Sequence, residues 1–131
     1  PCVTPCGVFA RRRSDCLKLP SGLVVVDVDH LDSPDEAGRL KQLLFKDPYL
    51  APVLVFISPT GRGVKAFVPC PIGKDSTEAV RWAMNHVHCM YDTENTQPGK
   101  GVDTSGKDLV RACFLCHDPK ALLRKVVNFE L

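Results

Sequence analysis

Two aspartates carry the first chemistry legible in this chain. Asp27 and Asp29 close the run Leu23-Val24-Val25-Val26-Asp27-Val28-Asp29, which Ser21-Gly22 precedes. A short apolar, β-branched run bounded by such residues reads as a buried strand. Its period of two sends both carboxylates to one face and Val24, Val26 and Val28 to the other. Two carboxylates at the end of a buried strand are costly unless something neutralises them. Hard oxygen donors suit Mg²⁺ or Mn²⁺, and two such ions about 4 Å apart clamp the attacking and leaving oxygens of a phosphoryl transfer. The plainer reading places the pair past the strand end, in solvent. His30 follows at once and is read as an incidental loop histidine.

The second constellation is Ser58-Pro59-Thr60-Gly61-Arg62-Gly63-Val64-Lys65. It is no Walker A loop, because the spacing differs and a strand follows where a helix belongs. The physics is related: Gly61 and Gly63 let backbone N–H groups turn towards an anion, Arg62 and Lys65 add positive charge, and Ser58 adds a hydroxyl. The plainer reading is a hairpin whose glycines satisfy turn geometry.

Two weaker clusters remain. Arg11-Arg12-Arg13 is the one dense basic run, either a solvated loop or an arm that contacts nucleic-acid phosphates. Cys2 and Cys6, with Cys113 and Cys116, offer four thiolates. Cys113 and Cys116 lie three apart in an expected strand and so point to opposite faces. Zinc is therefore disfavoured and buried small apolar cysteines are expected.

The elements that must position these groups follow from pattern. With 131 residues, 44% hydrophobic and 24% charged, the composition is that of one ordinary globular domain. It is expected to comprise an irregular lead-in over 1–20, a core over 21–118 and a tail over 119–131. The first residue is Pro rather than Met, so an excised piece of a longer protein is expected. A net charge of +2 does not by itself declare a polyanion binder. No apolar run approaches the about 20 residues of a membrane span, and no secretory segment is visible. Seven cysteines, an odd number, then read as reduced thiols in a cytoplasmic setting.

Ser33-Pro34-Asp35-Glu36 is a helix start with a capping box, and Ala37, Leu40, Leu43 and Leu44 recur at helical spacing until Asp47-Pro48. Strands are expected over Val53–Ile57 and Val64–Val68. A second helix starts at Asp75 and Glu78, carries Ala79, Ala83, Val87 and Met90 on one face, and runs to about Tyr91. Residues 92–107 read as a loop and Ala112–Cys116 as the last core strand, with a short helix and a final strand in the tail. The order β-α-β-β-α-β predicts an α+β, two-layer split βαβ domain of the RNA-recognition-motif-like kind. Its antiparallel sheet would carry helices on one face and leave the other for a ligand.

The sequence resembles primase-polymerase domains of the archaeo-eukaryotic primase superfamily, and more closely the VirE N-terminal domain family of mobile elements. The stretches that carry the likeness are Thr4–Phe9, Asp27–Leu31, Asp47-Pro48-Tyr49, the Ser58–Lys65 hairpin and Asp108–Pro119. The resemblance implies a third metal-binding carboxylate, for which Val102-Asp103 fits and Asp108 is the rival. It also implies a nucleoside triphosphate held by Ser58, Gly61, Arg62, Gly63, Lys65 and Arg111, whose guanidinium suits a triphosphate or an ion pair with Asp108.

Further partners implied are single-stranded DNA or a primer-template and a helicase, fused or separate. Lys65 stands where many superfamily members carry histidine, supplying charge without imidazole chemistry. The expected activity is metal-dependent nucleotidyl transfer with two Mg²⁺ or Mn²⁺ ions on Asp27, Asp29 and Asp103. The rivals are a non-catalytic nucleic-acid-binding module and a metal-dependent nuclease or phosphohydrolase.

Overall fold

The computed structural model describes residues 2–11, 13–91, 101–102 and 113–125. Its centre is a five-stranded sheet built from β4 (Leu23–Asp29), β5 (Leu54–Ile57), β6 (Val64–Pro69), β7 (Gly101–Val102) and β9 (Leu122–Leu123). The strands lie in the order β7-β4-β6-β5-β9, every neighbouring pair antiparallel. Helix α1 (Pro34–Phe45) connects β4 to β5 with β6 between them, and α2 (Ser76–Tyr91) lies between β6 and β7 in the chain. This is the split βαβ topology in two layers, an α+β domain.

Local chemistry explains the helices. Ser33 Oγ accepts from the Glu36 N–H at 3.1 Å, while Glu36 Oε2 accepts from the Asp32 N–H at 3.0 Å. The box therefore closes one residue earlier than the usual reciprocal pair. Asp75 caps α2 by accepting from the Glu78 N–H at 2.8 Å. Ala37, Leu40 and Leu44 of α1 and Ala79, Val80, Ala83, Met84 and Val87 of α2 pack on Val24, Val26 and Val28 in the main core. Each fully buried valine there contributes roughly 1.5–3 kcal/mol. Two residues expected on these stripes point outwards instead: Leu43 and Met90 are exposed. Val80 and Met84 fill the α2 face, because the buried stripe there is wider than a single i, i+4 row.

Four expectations about the elements are corrected. Residues 1–20 are not an irregular lead-in: β1 (Cys2–Val3), β2 (Gly7–Phe9), a 3₁₀ turn (Ser14–Cys16) and β3 (Leu17–Pro20) lie within them. β2 and β3 pair antiparallel, with Val8 opposite Leu19. The fourth strand of the split βαβ unit is Gly101–Val102, inside the stretch read as loop, with Val102 opposite Val28 and Gly101 opposite Asp29. The described part of the expected last core strand forms only β8 (Cys113–Phe114), which pairs with β1 outside the main sheet. In the described part of the tail a turn at 119–120 and the strand β9 stand where a helix was expected first.

The face opposite the helices is only partly open. Val25, Phe56, Phe67 and Cys113 form a second buried cluster there, with Val53, Leu54 and Cys116 packed on it. Cys116 Sγ donates to the Ile57 carbonyl at 2.7 Å, and the Ile57 N–H donates to Asp118 Oδ2 at 2.9 Å. The chain from Cys113 to Asp118 thus runs along β5 before β9 pairs with it. Lys41 on α1 is buried and reaches the same segment, donating to the Lys120 carbonyl at 2.8 Å and lying 3.5 Å from Asp118. Among the described residues no helix is long and apolar enough to cross a membrane.

Candidate functional site

The ends of β4 and β6 bring the two sequence constellations together. Asp27 stands directly opposite Lys65 in the antiparallel register, and Val28 opposite Val64. Residues opposed in this way share a face, so the Lys65 stem lies over the same side of the sheet as both aspartates. Lys65 Nζ donates to Asp27 Oδ2 at 2.8 Å, with the two side chains 11% and 6% exposed. Those figures matter: so little water reaches the pair that its attraction is weakly screened. Burial works against the Lys65 charge, but the hydrogen bond and charge of Asp27, helped by Cys113 and Asp29, outweigh it and hold the ammonium above the ordinary lysine value. The first-strand carboxylate that sequence reasoning left for a cation therefore has an ammonium beside it.

Asp29 lies two residues further along the same face, half-buried, at the point where β4 ends. His30 then takes φ +55° and is exposed, which turns the chain off the sheet. The next residue ties the strand exit to the glycine turn: the Leu31 N–H donates to the Arg62 carbonyl at 2.8 Å.

The turn is closed from within. Ser58 donates its N–H to the Gly63 carbonyl at 2.9 Å, and Gly61 donates its N–H to the Ser58 carbonyl at 2.9 Å. Ser58 and Thr60 hydroxyls are hydrogen-bonded at 3.1 Å, and Thr60 Oγ1 accepts from the Arg62 N–H at 3.3 Å. Both glycines have reasons in the fold. Gly61 takes φ +76°, a region that side chains disfavour. At Gly63 a Cβ would lie 2.6 Å from Ser58 Oγ and 2.8 Å from the Val28 carbonyl, so glycine lets the turn close onto β4. The Gly61 amide, in the turn expected to face an anion, is spent within it, as is that of Arg62. The Arg62 side chain is exposed beside it, and Ser58 is buried.

The structure thus gathers Asp27, Asp29, Ser58, Gly61, Arg62, Gly63 and Lys65 at one end of the sheet. Asp103, Asp108 and Arg111 lie outside the described residues, as does Arg12. Arg11 and Arg13 are exposed, and Arg13 pairs with Asp15 at 2.8 Å on the surface, an ion pair of little energetic weight. Their hairpin is tied down where β4 begins, through Ser21 N–H to the Cys6 carbonyl at 2.9 Å and Ser21 Oγ to the Pro5 carbonyl at 2.6 Å. That is the far end of the strand from Asp29. Cys6 is buried with the helix-side core, Cys113 with the opposite cluster, and Cys2 is exposed. Among the described residues no three His, Cys, Asp or Glu side chains gather as a metal-binding group.

One polar cluster escaped the sequence reading. Asp47, which the sequence offers as a helix stop and as part of the Asp47-Pro48-Tyr49 stretch, is buried between the helices. Its Oδ1 accepts from the Tyr49 N–H at 2.8 Å and the Leu50 N–H at 2.9 Å, and its Oδ2 from His86 Nε2 at 2.7 Å and the Tyr91 hydroxyl. Burial raises the Asp47 pKa, but the bonds from Tyr91, Leu50, His86 and Tyr49 together outweigh it and hold the carboxyl below its ordinary range. Burial and the Asp47 carboxylate push the Tyr91 phenol up. The His86 ring is flanked by Trp82 at 6.3 Å and Tyr49 at 5.5 Å between centroids. The pairings span 39 and 44 residues of chain, so no local pattern announces them.

A two-layer split βαβ domain that sets a D-x-D strand end, a lysine and a glycine turn side by side is the class this geometry defines. The chain belongs to the BT4734-like N-terminal domain family, whose model matches residues 1–123. That match replaces the VirE N-terminal domain reading, a different family for which no model matches. Two of the stretches behind that reading, the Asp27–Leu31 strand end and the Ser58–Lys65 hairpin, are short motifs that do not by themselves separate one family from another. No curated protein and no solved structure matches the chain.

Proposed function

We propose that the β4–β6 end binds a nucleoside triphosphate with a divalent cation, and that the domain is a nucleotidyltransferase of primase or polymerase type. One observation carries the reading. Two carboxylates on one sheet face meet a lysine in direct register, beside a turn that carries a hydroxyl and an arginine. Acidic groups for a cation and basic groups for phosphate are what transfer of a nucleotidyl group requires.

The donor set fits Mg²⁺ or Mn²⁺ in kind: Asp27 and Asp29 offer hard carboxylate oxygens, and Asp103 or Asp108 is the candidate third ligand. A bound pair of such ions would supply charge stabilisation at the reacting phosphate. Lys65 and Arg62, with Arg111, bind and orient the phosphates, and the closed turn holds Arg62 and Ser58 against the end of β4. A 3′-hydroxyl oxygen, giving up its proton to solvent, forms the new bond to the α-phosphorus while the α–β bridge bond breaks and pyrophosphate leaves with that bond's electron pair. The nucleic-acid partner is single-stranded DNA or a primer-template. Exposed Arg11 and Arg13 are available to its backbone, and a helicase, fused or separate, would supply the strand.

A second reading has its own support. Lys65 neutralises Asp27 with no metal required, as a nucleic-acid-binding module without turnover would need. Nucleotide incorporation on labelled single-stranded DNA with Mn²⁺, comparing the wild type with Asp27→Asn/Asp29→Asn, separates the two. Extension that the double substitution abolishes supports the enzyme. Equal behaviour of both proteins, with DNA still bound, removes the enzyme and leaves the module. Shortening of the oligonucleotide would point to a nuclease instead.

A further inference from the structure

We infer that Lys65 is a resident counter-ion of the carboxylate site, holding Asp27 until metal and nucleotide arrive and then exchanging Asp27 for the phosphates. The inference rests on the nucleotide-binding reading above and adds a device for regulating that site. Its basis is geometric. Asp27 and Lys65 are cross-strand partners fixed by the β4–β6 ladder, so the pair forms whenever the sheet forms. The 2.8 Å contact is nearly dry, with side chains 6% and 11% exposed, so water does not stand in for either partner. Asp29, on the same face two residues on, is the more accessible carboxylate.

A carboxylate that satisfies an ammonium at this distance is not also a full-strength ligand, because a divalent ion beside the ammonium would be repelled by it. Cation entry at Asp27 therefore requires Lys65 to leave. Its flexible four-carbon stem allows this, where the rigid fork of an arginine would resist it. The displaced ammonium is then available to an incoming polyphosphate, so one residue opposes the cation and favours the nucleotide. The signature is two effects of opposite sign from a single substitution.

The test is a Mn²⁺ titration of the full chain, followed by the electron paramagnetic resonance of free Mn²⁺, for wild type, Lys65→Met and Lys65→Arg. Lys65→Met should bind Mn²⁺ about tenfold more tightly, since a competing, little-screened charge is gone. Its affinity for nucleoside triphosphate at saturating Mn²⁺ should fall about tenfold, since a phosphate partner is lost. Lys65→Arg should bind Mn²⁺ no better than wild type. A second arm needs no variant. Acylation of Lys65 in the wild type, measured by mass spectrometry against Lys41, should accelerate several-fold on adding Mn²⁺. Binding of Mn²⁺ equally by wild type and Lys65→Met, or Mn²⁺ binding with unchanged Lys65 labelling, overturns the exchange and leaves the nucleotide site standing. Absence of Mn²⁺ binding in every protein overturns the metal–nucleotide reading itself, and the exchange with it. Should Lys65→Met fail to fold, the labelling arm decides.

Discussion

Replacing Asp47 by alanine removes the carboxylate on which the end of α1 and the outer half of α2 converge. Four donors lose their acceptor: the N–H groups of Tyr49 and Leu50, His86 Nε2–H and the Tyr91 hydroxyl. Hydrogen bonds to a charged acceptor each contribute about 1.5–3 kcal/mol net, but water reaches some of the donors once the carboxyl is gone and the terms do not simply add. A loss of about 3–5 kcal/mol follows, a large share of the about 5–15 kcal/mol that holds a domain folded. With a urea slope of about 1.5–2 kcal/mol/M, the unfolding midpoint should drop by about 2 M.

Asp47→Asn keeps the two backbone bonds through its carbonyl and should cost only about 1–2 kcal/mol. The same group sets an acid limit. Its folded pKa is lowered, so its contribution is complete above the ordinary carboxylate value of 3.8 and is lost as pH falls below that through the folded value. Stability measured from pH 5 down to pH 2 should therefore fall less steeply in Asp47→Asn than in the wild type. A cost below about 1 kcal/mol for Asp47→Ala would refute the reasoning, because it would mean that water replaces the carboxylate without loss.

Three other substitutions probe the frame. Gly63→Ala forces a Cβ to within 2.6 Å of Ser58 Oγ and 2.8 Å of the Val28 carbonyl. It should cost about 1–3 kcal/mol in urea unfolding, whereas an unchanged midpoint would show that the turn does not bear on β4. Asp118→Ala leaves the buried Lys41 ammonium with only the Lys120 carbonyl and strips the Ile57 N–H of its acceptor. A loss of about 3 kcal/mol is expected, and Asp118→Ala combined with Lys41→Met should recover part of it. Arg124→Ala removes bonds to the Phe45 and Pro52 carbonyls at 2.6 and 3.0 Å and a cation–π contact at 4.7 Å from the Phe45 ring centroid. About 1–2 kcal/mol should be lost, with faster amide exchange in β5 and β9 than in β4.

What the sequence discloses depends on how far its signals reach. Strand β4 is legible because its alternation splits Val24, Val26 and Val28 from Asp27 and Asp29 over enough residues to show a period. The helices are legible from their caps, Ser33 and Asp75, which act within three residues. Strand β7 is not, since Gly101-Val102 has no apolar run and joins the sheet by backbone pairing with Val28 and Asp29. Conversely, the apolar stretch around Cys113 looks like a core strand, yet Phe114 is largely exposed and, of the described residues 113–116, only Cys113 is buried. The same divide runs through the candidate site. Residue types at Asp27, Ser58, Gly63 and Lys65 can be read directly, but that Lys65 faces Asp27 is a matter of register across 38 residues. Register is set by the whole sheet. The Asp47 cluster fails to show for the same reason.

Strand β5 would be a raw border of the sheet were Leu122–Leu123 not paired along it. Arg124 bolts that cover to the end of α1 and Lys41 bolts its approach. An uncovered strand of Leu54-Val55-Phe56-Ile57, apolar and uncharged, is a template for the same strand in another molecule. Shortening the chain to end before Asp118 should therefore make the protein associate through backbone-to-backbone pairing of β5, read as a rise in sedimentation coefficient over the full chain.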